Sequence, residues 1–219
     1  MKVHKSKVAR TPHSALVICN GEPPSRRLAR QLARNVDLIV AADGGANAAR
    51  LLRITPHVII GDLDSVSQST RRFFSSALVF RVKRQDNTDL EKALDYLVER
   101  KVNDATIIGG TGRRVDFTLG NFSVVWNYTS SMRLTFVGDG WMAIPVTSSQ
   151  QLTAAPGTTV SLIPFGHCRG ITLKGLQYPL SNGTMRVGEI GVSNVVKRSP
   201  FRVTVRRGKM LVFIMDRTW

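Results

Sequence analysis

The sequence predicts a mixed α/β chain, with a parallel α/β/α domain over residues 1–131 followed by a smaller antiparallel β-sandwich over residues 132–219. Two observations predict the first part. Short apolar runs alternate with helical patterns up to about residue 130, the order expected of βαβ units, and several of the runs end in aspartate. A third observation predicts the second part: after Met132 the runs become short or alternating, with turn residues about every eight to twelve positions.

The elements follow in order. ALVICN (15–20) precedes the helical pattern PSRRLARQLARN (24–35), LIVAAD (38–43) precedes GGANAARLL (44–52), and VIIGD (58–62) precedes SVSQSTRRFFSS (65–76). LVFRV (78–82) precedes TDLEKALDYLVERK (88–101), where Leu90, Ala93, Leu94, Leu97 and Val98 share one face and Thr88 caps the start. TIIGG (106–110) runs into a Gly-rich turn and a helix from about Thr118. This succession is a Rossmann-like arrangement, with each apolar run read as a buried strand. RLTFVGDG (133–140), TTVSLIPFG (158–166), GITLKGL (170–176) and FRVTVRRGKMLVFIM (201–215) are then read as antiparallel strands. The last is taken as a hairpin turning at Arg207 and Gly208.

Composition narrows the class. The chain has 219 residues, is 42% hydrophobic and carries a formal charge of +16, enough apolar residue for a folded core. No run reaches the ~18 consecutive apolar residues of a membrane span. The basic N-terminus MKVHKSKVARTPHSA is expected to be a solvated tail rather than a transit peptide. Cys19 and Cys168 share no ligand spacing, which fits a reducing, cytoplasmic setting. Residues 1–130 hold 20 Lys and Arg against 12 Asp and Glu, and residues 131–219 hold 11 against 3. Each part is thus equally basic, no single tail or stripe is expected to hold the charge, and nucleic acid is not read as the primary partner.

Against that background the aspartates stand out. Asp43, Asp62, Asp64, Asp86 and Asp89 all fall in loops after apolar runs. Parallel sheets bind ligands outside the carboxyl ends of their strands, so five separate acids become one candidate site. Grouped carboxylates repel one another and need a cation, and Mg²⁺ shared with substrate phosphates is the common solution. Gly44 and Gly45 let the backbone approach a ligand and open a helix whose amides can meet phosphate. In GDLDS, Asp62 and Asp64 are two apart, so an extended loop would turn both to one side. Lys92, one turn beyond Asp89, is expected to reach a phosphate oxygen beside the metal. GGTGRRVD (109–116) supplies Arg113 and Arg114 as charge-stabilising donors.

The segments AADGGANAARLL, GDLDSV, QDNTDLEKAL, GGTGRRVDFTLGN and SLIPFG…GITLKGLQYPLSNG…GVSN together closely resemble the thiamine pyrophosphokinase family, in order and spacing, over nearly the whole chain after residue 15. The resemblance implies Mg²⁺-dependent transfer of the β,γ-diphosphoryl group of ATP to thiamine, giving AMP and thiamine diphosphate. It also implies a homodimer with thiamine bound near the interface. On this reading Asp62, Asp64 and Asp89 lead the metal ligands, with Asp43 and Asp86 next. Gly44, Gln85, Thr88, Lys92 and Arg114 face ATP, and Asp116 orients Arg114. Ser193 and Asn194 would contact thiamine through the family's SN motif. Tyr178 is placed first in the sandwich core, with an aromatic surface for the cationic heterocycle as its second reading.

Three residues depart from the family pattern: Phe117 where His or Gln is common, Val195 where Glu often follows SN, and Arg113 in place of a frequent Gly. The rival readings are a diphosphokinase for a hydroxymethyl pterin, which the SLIPFG and SN motifs oppose, and a non-enzymatic nucleotide- or RNA-binding module.

Overall fold

A computed structural model of the chain describes residues 12–83, 86–189 and 191–215, so the basic segment 1–11 and Gln85 lie outside the described residues. The first part runs β1 (Ser14–Ile18), α1 (Arg26–Arg34), β2 (Leu38–Ala42), α2 (Gly45–Leu52), β3 (Val58–Gly61), α3 (Gln68–Phe73), β4 (Leu78–Arg81), α4 (Asp89–Glu99), β5 (Asp104–Ile108), α5 (Val115–Val124) and β6 (Arg133–Gly138). These six strands are parallel in the order β6-β5-β1-β2-β3-β4. Because crossovers are right-handed, α1–α3 share one face of the sheet, while the chain's reversal after β4 sends α4 and α5 to the other.

The two apolar clusters record this division. Leu16, Ile18 and Ile59 pack under Leu28 of α1, Ala46 and Leu52 of α2 and Phe74 at the end of α3, while Val17, Val40 and Ile107 pack under Leu90, Leu94 and Phe122 of α4 and α5. Local chemistry starts the helices where they are needed. Ser25 Oγ accepts from Leu28 N, Ser67 Oγ accepts from Thr70 N, and Thr88 and Glu91 form a reciprocal capping box.

Two expectations for this half are corrected. LVFRV is not a buried strand, since β4 ends the sheet and Leu78 and Val79 are exposed; an edge strand has only one hydrogen-bonded neighbour, and here it is Phe80 that meets a helix, against Tyr96 of α4. Val98 leaves the buried face of α4 and is exposed, whereas Lys92 and Tyr96 are buried there.

The second part adds β7 (Trp141–Val146), β8 (Ser149–Leu152), β9 (Thr159–Pro164), β10 (Cys168–Lys174), β11 (Leu180–Met185), β12 (Asn194–Val195), β13 (Phe201–Thr204) and β14 (Met210–Met215). RLTFVG becomes the parallel strand β6 beside β5 rather than an antiparallel one, and β7 then reverses direction against it. The sheet continues through β14 and β9 to β12, reaching ten strands. A second sheet, β11-β10-β13-β8, lies across its far half. Between them Val160, Leu162, Met210 and Val212 meet Ile171, Leu173, Phe201 and Val203 in one apolar cluster, the core of the sandwich.

The expected hairpin at Arg207 and Gly208 does not form. β13 pairs with β10 and β8, while β14 pairs with β7 and β9, so the connection passes from one sheet to the other. The alternating pattern of both runs serves two facing sheets as well as it would serve one ribbon, which is why periodicity does not separate the cases.

Phe201 is the largest sandwich side chain shut completely between the sheets, at 1% exposure. Phe201→Ala is expected to lower the free energy of unfolding by about 3–5 kcal/mol, measured by chemical denaturation, with the loss of near-UV ellipticity reporting the loosened interface.

Candidate active site

The carboxyl ends of β1, β2 and β3 deliver three loops to one place. Asp43 follows β2, and Asp62 and Asp64 follow β3; one carboxylate oxygen from each lies within 4.8 Å of the other two. Asp43 is 2% exposed, Asp62 is half-buried and Asp64 faces solvent. The backbone bends sharply to arrange this. Asp43 has φ 44° and Leu63, between the other two acids, has φ 69°, so the GDLDS loop is not extended as its spacing had suggested. Leu63 turns through the left-handed region and buries its side chain, and Asp64 N donates to Asp62 Oδ1 at 3.2 Å. A leucine held there costs about 1–2 kcal/mol, strain of a kind that persists where the surroundings impose it.

Neighbours brace the arrangement. Asn47 Nδ2 donates to the Ser65 carbonyl at 2.7 Å while its Oδ1 accepts from Ser67 N, tying the GDLDS loop to α2. Ser65 Oγ donates to Asp64 Oδ1 at 2.8 Å. Gly61 is a requirement of space, since a methyl group on it would stand 2.6 Å from Asp43 Cβ. Burial, followed by the charge of Asp89, pushes the Asp43 carboxyl above its usual range; bonds from Ser65 and the Gly44 amide offset part of this. Asp43 Oδ1 is buried with no hydrogen-bond partner. A buried carboxyl with one unpartnered oxygen, clustered with two further carboxylates, fits a hard divalent cation with oxygen ligands.

Beside the acids runs a cleft lined by Asn20, Thr88, Asp89, Gly110, Arg113 and Arg114 among others, with Ala42 and Ser65, the neighbours of Asp43 and Asp64, on its wall. Gly109, Gly112 and Arg113 all have positive φ, at 65°, 80° and 54°, which curls the loop after β5 around the cleft. The frequent glycine at position 113 in the family thus has a conformational reason, and Arg113 holds the same turn while its guanidinium donates to the Asn20 carbonyl at 3.3 Å. Asn121, buried on α5, donates to the Gly110 carbonyl at 2.7 Å and holds the loop from behind.

Arg114 donates through Nε and Nη2 to the two oxygens of Asp116, at 3.1 and 2.5 Å, and lies 4.3 Å over the Phe117 ring. The aromatic departure at 117 therefore backs the guanidinium instead of supplying a polar contact. Asp89 and Lys92 differ from expectation. Lys92 is buried with its Nζ 2.8 Å from Asp89 Oδ1, so the ammonium is engaged on the acid one turn before it, and Asp89 stands outside the cluster of three. Thr88 spends its side chain on the helix cap, and Asp86 is exposed on the approach to it. Cys19 lies in the same cleft, but burial and the charge of Asp89 push its thiol up to about 12, so it stays protonated and is no nucleophile.

The residues expected on the thiamine side lie elsewhere. Tyr178 is 62% exposed in the β10–β11 connection, not in the sandwich core. Asn194 is buried on β12; its Oδ1 accepts from Tyr178 N and Val195 N at 3.0 and 2.9 Å, and its Nδ2 donates to the Tyr178 carbonyl at 2.8 Å. Ser193 is exposed with φ 65°, and Val195 pairs with Thr159 on the sheet edge. None of these lines the acid-bearing cleft.

Residues 29–136 match the family model described as thiamin pyrophosphokinase, catalytic domain, and residues 144–210 match thiamin pyrophosphokinase, vitamin B1 binding domain. The chain belongs to the thiamin pyrophosphokinase family. Among curated relatives it is 29% identical to thiamine pyrophosphokinase 1 of Oryza sativa subsp. japonica, over 87% of this chain and 83% of that one. It is 27% identical to thiamine pyrophosphokinase of Bacillus subtilis (strain 168), over 80% and 86%. Among solved structures the B. subtilis thiamine pyrophosphokinase superposes with TM-score 0.81 at 22% identity, covering 93% of this chain and 99% of that one. The Candida albicans thiamin pyrophosphokinase does so with TM-score 0.82 at 16% identity, covering 94% and 90%. At those identities the structures speak for the shared fold.

Asn20, Asn47 and Asn121, which hold the site's loops, were not singled out from sequence. Asn20 follows β1 as Asp43 follows β2, so the strand-end rule applies to it equally; the other two sit inside the matched segments GGANAARLL and FTLGN but carry no charge to mark them.

Asp43 also carries a prediction. A carboxyl whose folded pKa is raised adds stability below its unfolded pKa and loses that contribution as pH rises through the folded value, so the fold disfavours the ionised form of Asp43. Asp43→Asn removes that charge and suits the left-handed φ. In the absence of divalent metal it is expected to raise the melting temperature by about 2–4 °C, equivalent to ~1 kcal/mol. Addition of Mg²⁺ should then stabilise the parent protein and not the variant, as read by thermal unfolding with and without chelator.

Proposed function

We propose that this chain is a thiamine diphosphokinase in which Asp43, Asp62 and Asp64 hold Mg²⁺ and the neighbouring Gly-rich cleft receives the phosphates of ATP. The observation that carries the reading is the cluster of Asp43, Asp62 and Asp64 at the carboxyl end of a parallel sheet, with one oxygen of the buried Asp43 unpartnered. The pterin alternative is disfavoured by the match of residues 144–210 to the vitamin B1 binding model.

Thiamine's hydroxyethyl oxygen attacks the β-phosphorus of ATP in line; the bond from that phosphorus to the α,β-bridging oxygen breaks and AMP leaves with the electron pair. The hydroxyl proton passes to a strand-end carboxylate. Mg²⁺, when bound, neutralises the negative charge of the polyphosphate oxygens. The chain's own contribution is positioning. The curled loop 109–113 and the first amides of α5 cradle phosphate oxygens, and Arg114, held by Asp116 and Phe117, meets developing charge without having to be ordered first. Lys92, fixed against Asp89, holds that carboxylate in place at the cleft wall.

The thiamine side is proposed to come from a second copy of the chain. β12, which carries Asn194, is six positions from β1 in the sheet, about 29 Å along it at the usual strand spacing. Through its clamp on the Tyr178 backbone, Asn194 presents an exposed aromatic ring, the kind of surface a cationic heterocycle stacks on. A homodimer that sets this edge over a partner's cleft completes two sites at once. Both cysteines are unbonded and buried. Among the described residues no helix is long and apolar enough to cross a membrane.

Incubation with ATP, Mg²⁺ and thiamine is expected to yield AMP and thiamine diphosphate in equal amounts. Asp62→Ala or Asp64→Ala should lower kcat at least about 10³-fold with the melting temperature nearly unchanged, since both acids sit in a loop outside the core. AMP released with a hydroxymethyl pterin but not with thiamine would overturn the substrate. The dimer reading has its own test. Mixed and re-annealed Asp62→Ala and Ser193→Arg variants, each inactive alone, should recover about a quarter of parental activity, because half the dimers are mixed and each of those holds one intact site; no recovery would place both halves of a site in one chain.

A further inference from the structure

The charge that looked evenly spread along the chain is gathered in space. α1 carries Arg26, Arg27, Arg30 and Arg34, α2 and its C-cap carry Arg50 and Arg53, and α3 carries Arg71 and Arg72. None of these three helices contains an acid, so the layer accounts for half of the chain's net +16. All eight arginines are exposed, and the helices lie side by side on one face of the sheet. Where partners are formed they are neutral: Arg26 donates to the Leu51 carbonyl, Arg50 to Ser69 Oγ, and Arg71 to the Leu63 carbonyl, while Arg50 also stacks on Phe73. These contacts order the side chains and leave their charge uncompensated by the helices themselves.

We infer that the outer face of α1–α3 binds the phosphodiester backbone of nucleic acid without regard to sequence. Arg26, Arg30 and Arg34 recur every fourth residue and so form a row about 12 Å long on α1, flanked by the arginines of the next two helices. Guanidinium groups bind phosphate oxygens in bidentate fashion, and a repeating row of them matches a repeating anion better than a single phosphate. An anionic membrane is the poorer fit. A helix that lies in a membrane needs its apolar face free, and that of α1, Leu28, Ala29, Leu32 and Ala33, is packed into the core. An acidic protein partner would need buried anchors as well as charge, and the exposed large apolar side chains of this layer are Leu51 and Phe73 alone among the described residues. Arg27, Arg30 and Arg34 do not line the cleft.

The test is fluorescence anisotropy with a labelled single-stranded oligouridine 20-mer, titrated at several salt concentrations, on the full chain and on Arg27→Gln/Arg30→Gln/Arg34→Gln. The parent should bind with a steep dependence of log Kd on log salt, and the triple variant should lose about 2 from that slope, three contacts at ~0.7 each for single strands. The variant's thiamine diphosphate formation should be unchanged, which also reports its folding. Replacement of the same three residues by Lys should restore most of the slope. An unchanged slope in the Gln variant overturns the proposal. So does binding to phosphatidylserine vesicles or to polyglutamate under conditions where the oligouridine does not bind.

Discussion

Three carboxylates forced to within 4.8 Å of one another, one of them buried with an unpartnered oxygen, set the terms for everything near the carboxyl end of this sheet. Like charges at that distance in a partly dry environment repel, and Asp43 registers the conflict in a carboxyl held above its usual range. The fold withstands this because the loops are held from outside. Asn47 fixes one loop by two bonds to its backbone, Gly61 leaves room for Asp43, and Leu63 anchors an unfavourable turn by burying its side chain. The strain is balanced by packing in the layer beneath, and the repulsion within the cluster is relieved by a proton on Asp43 or by a bound cation.

The same logic explains the division of labour across the cleft. Loops after β2 and β3 supply negative charge, and the loop after β5 supplies amides and two arginines, with Asn20 between them. Arg114 is pinned on one side by Asp116 and on another by Phe117, so its guanidinium is ordered although it is exposed. The ten-stranded sheet separates this chemistry from the β12 edge, which lies six strand positions from β1.

The arginine layer follows a different constraint. α1–α3 need an apolar inner face, and nothing in the packing dictates the sign of the outer one. Eight arginines with no acid there are a choice of surface and not a requirement of the fold.

Much was legible without coordinates. The alternation of apolar runs and helical patterns set out the parallel strands and helices of the first part, and the aspartates after those runs marked the site, because βαβ order and strand-end position are local properties of the chain. The capping pair Thr88 and Glu91 and the Arg114–Asp116 contact also lie within a few residues. What only the tertiary structure decided depends on which segments become neighbours. β4 is exposed because nothing pairs beyond it, and β13 and β14 part company because two sheets compete for them. Asp43, distant in sequence from Asp62 and Asp64, joins them because β2 and β3 are adjacent, and Asp89, outside that trio, still lies close enough on the cleft wall for its charge to raise the Asp43 carboxyl. Proximity across a sheet is a long-range property, and a single sequence records which residues are present far more directly than which of them the fold will bring together.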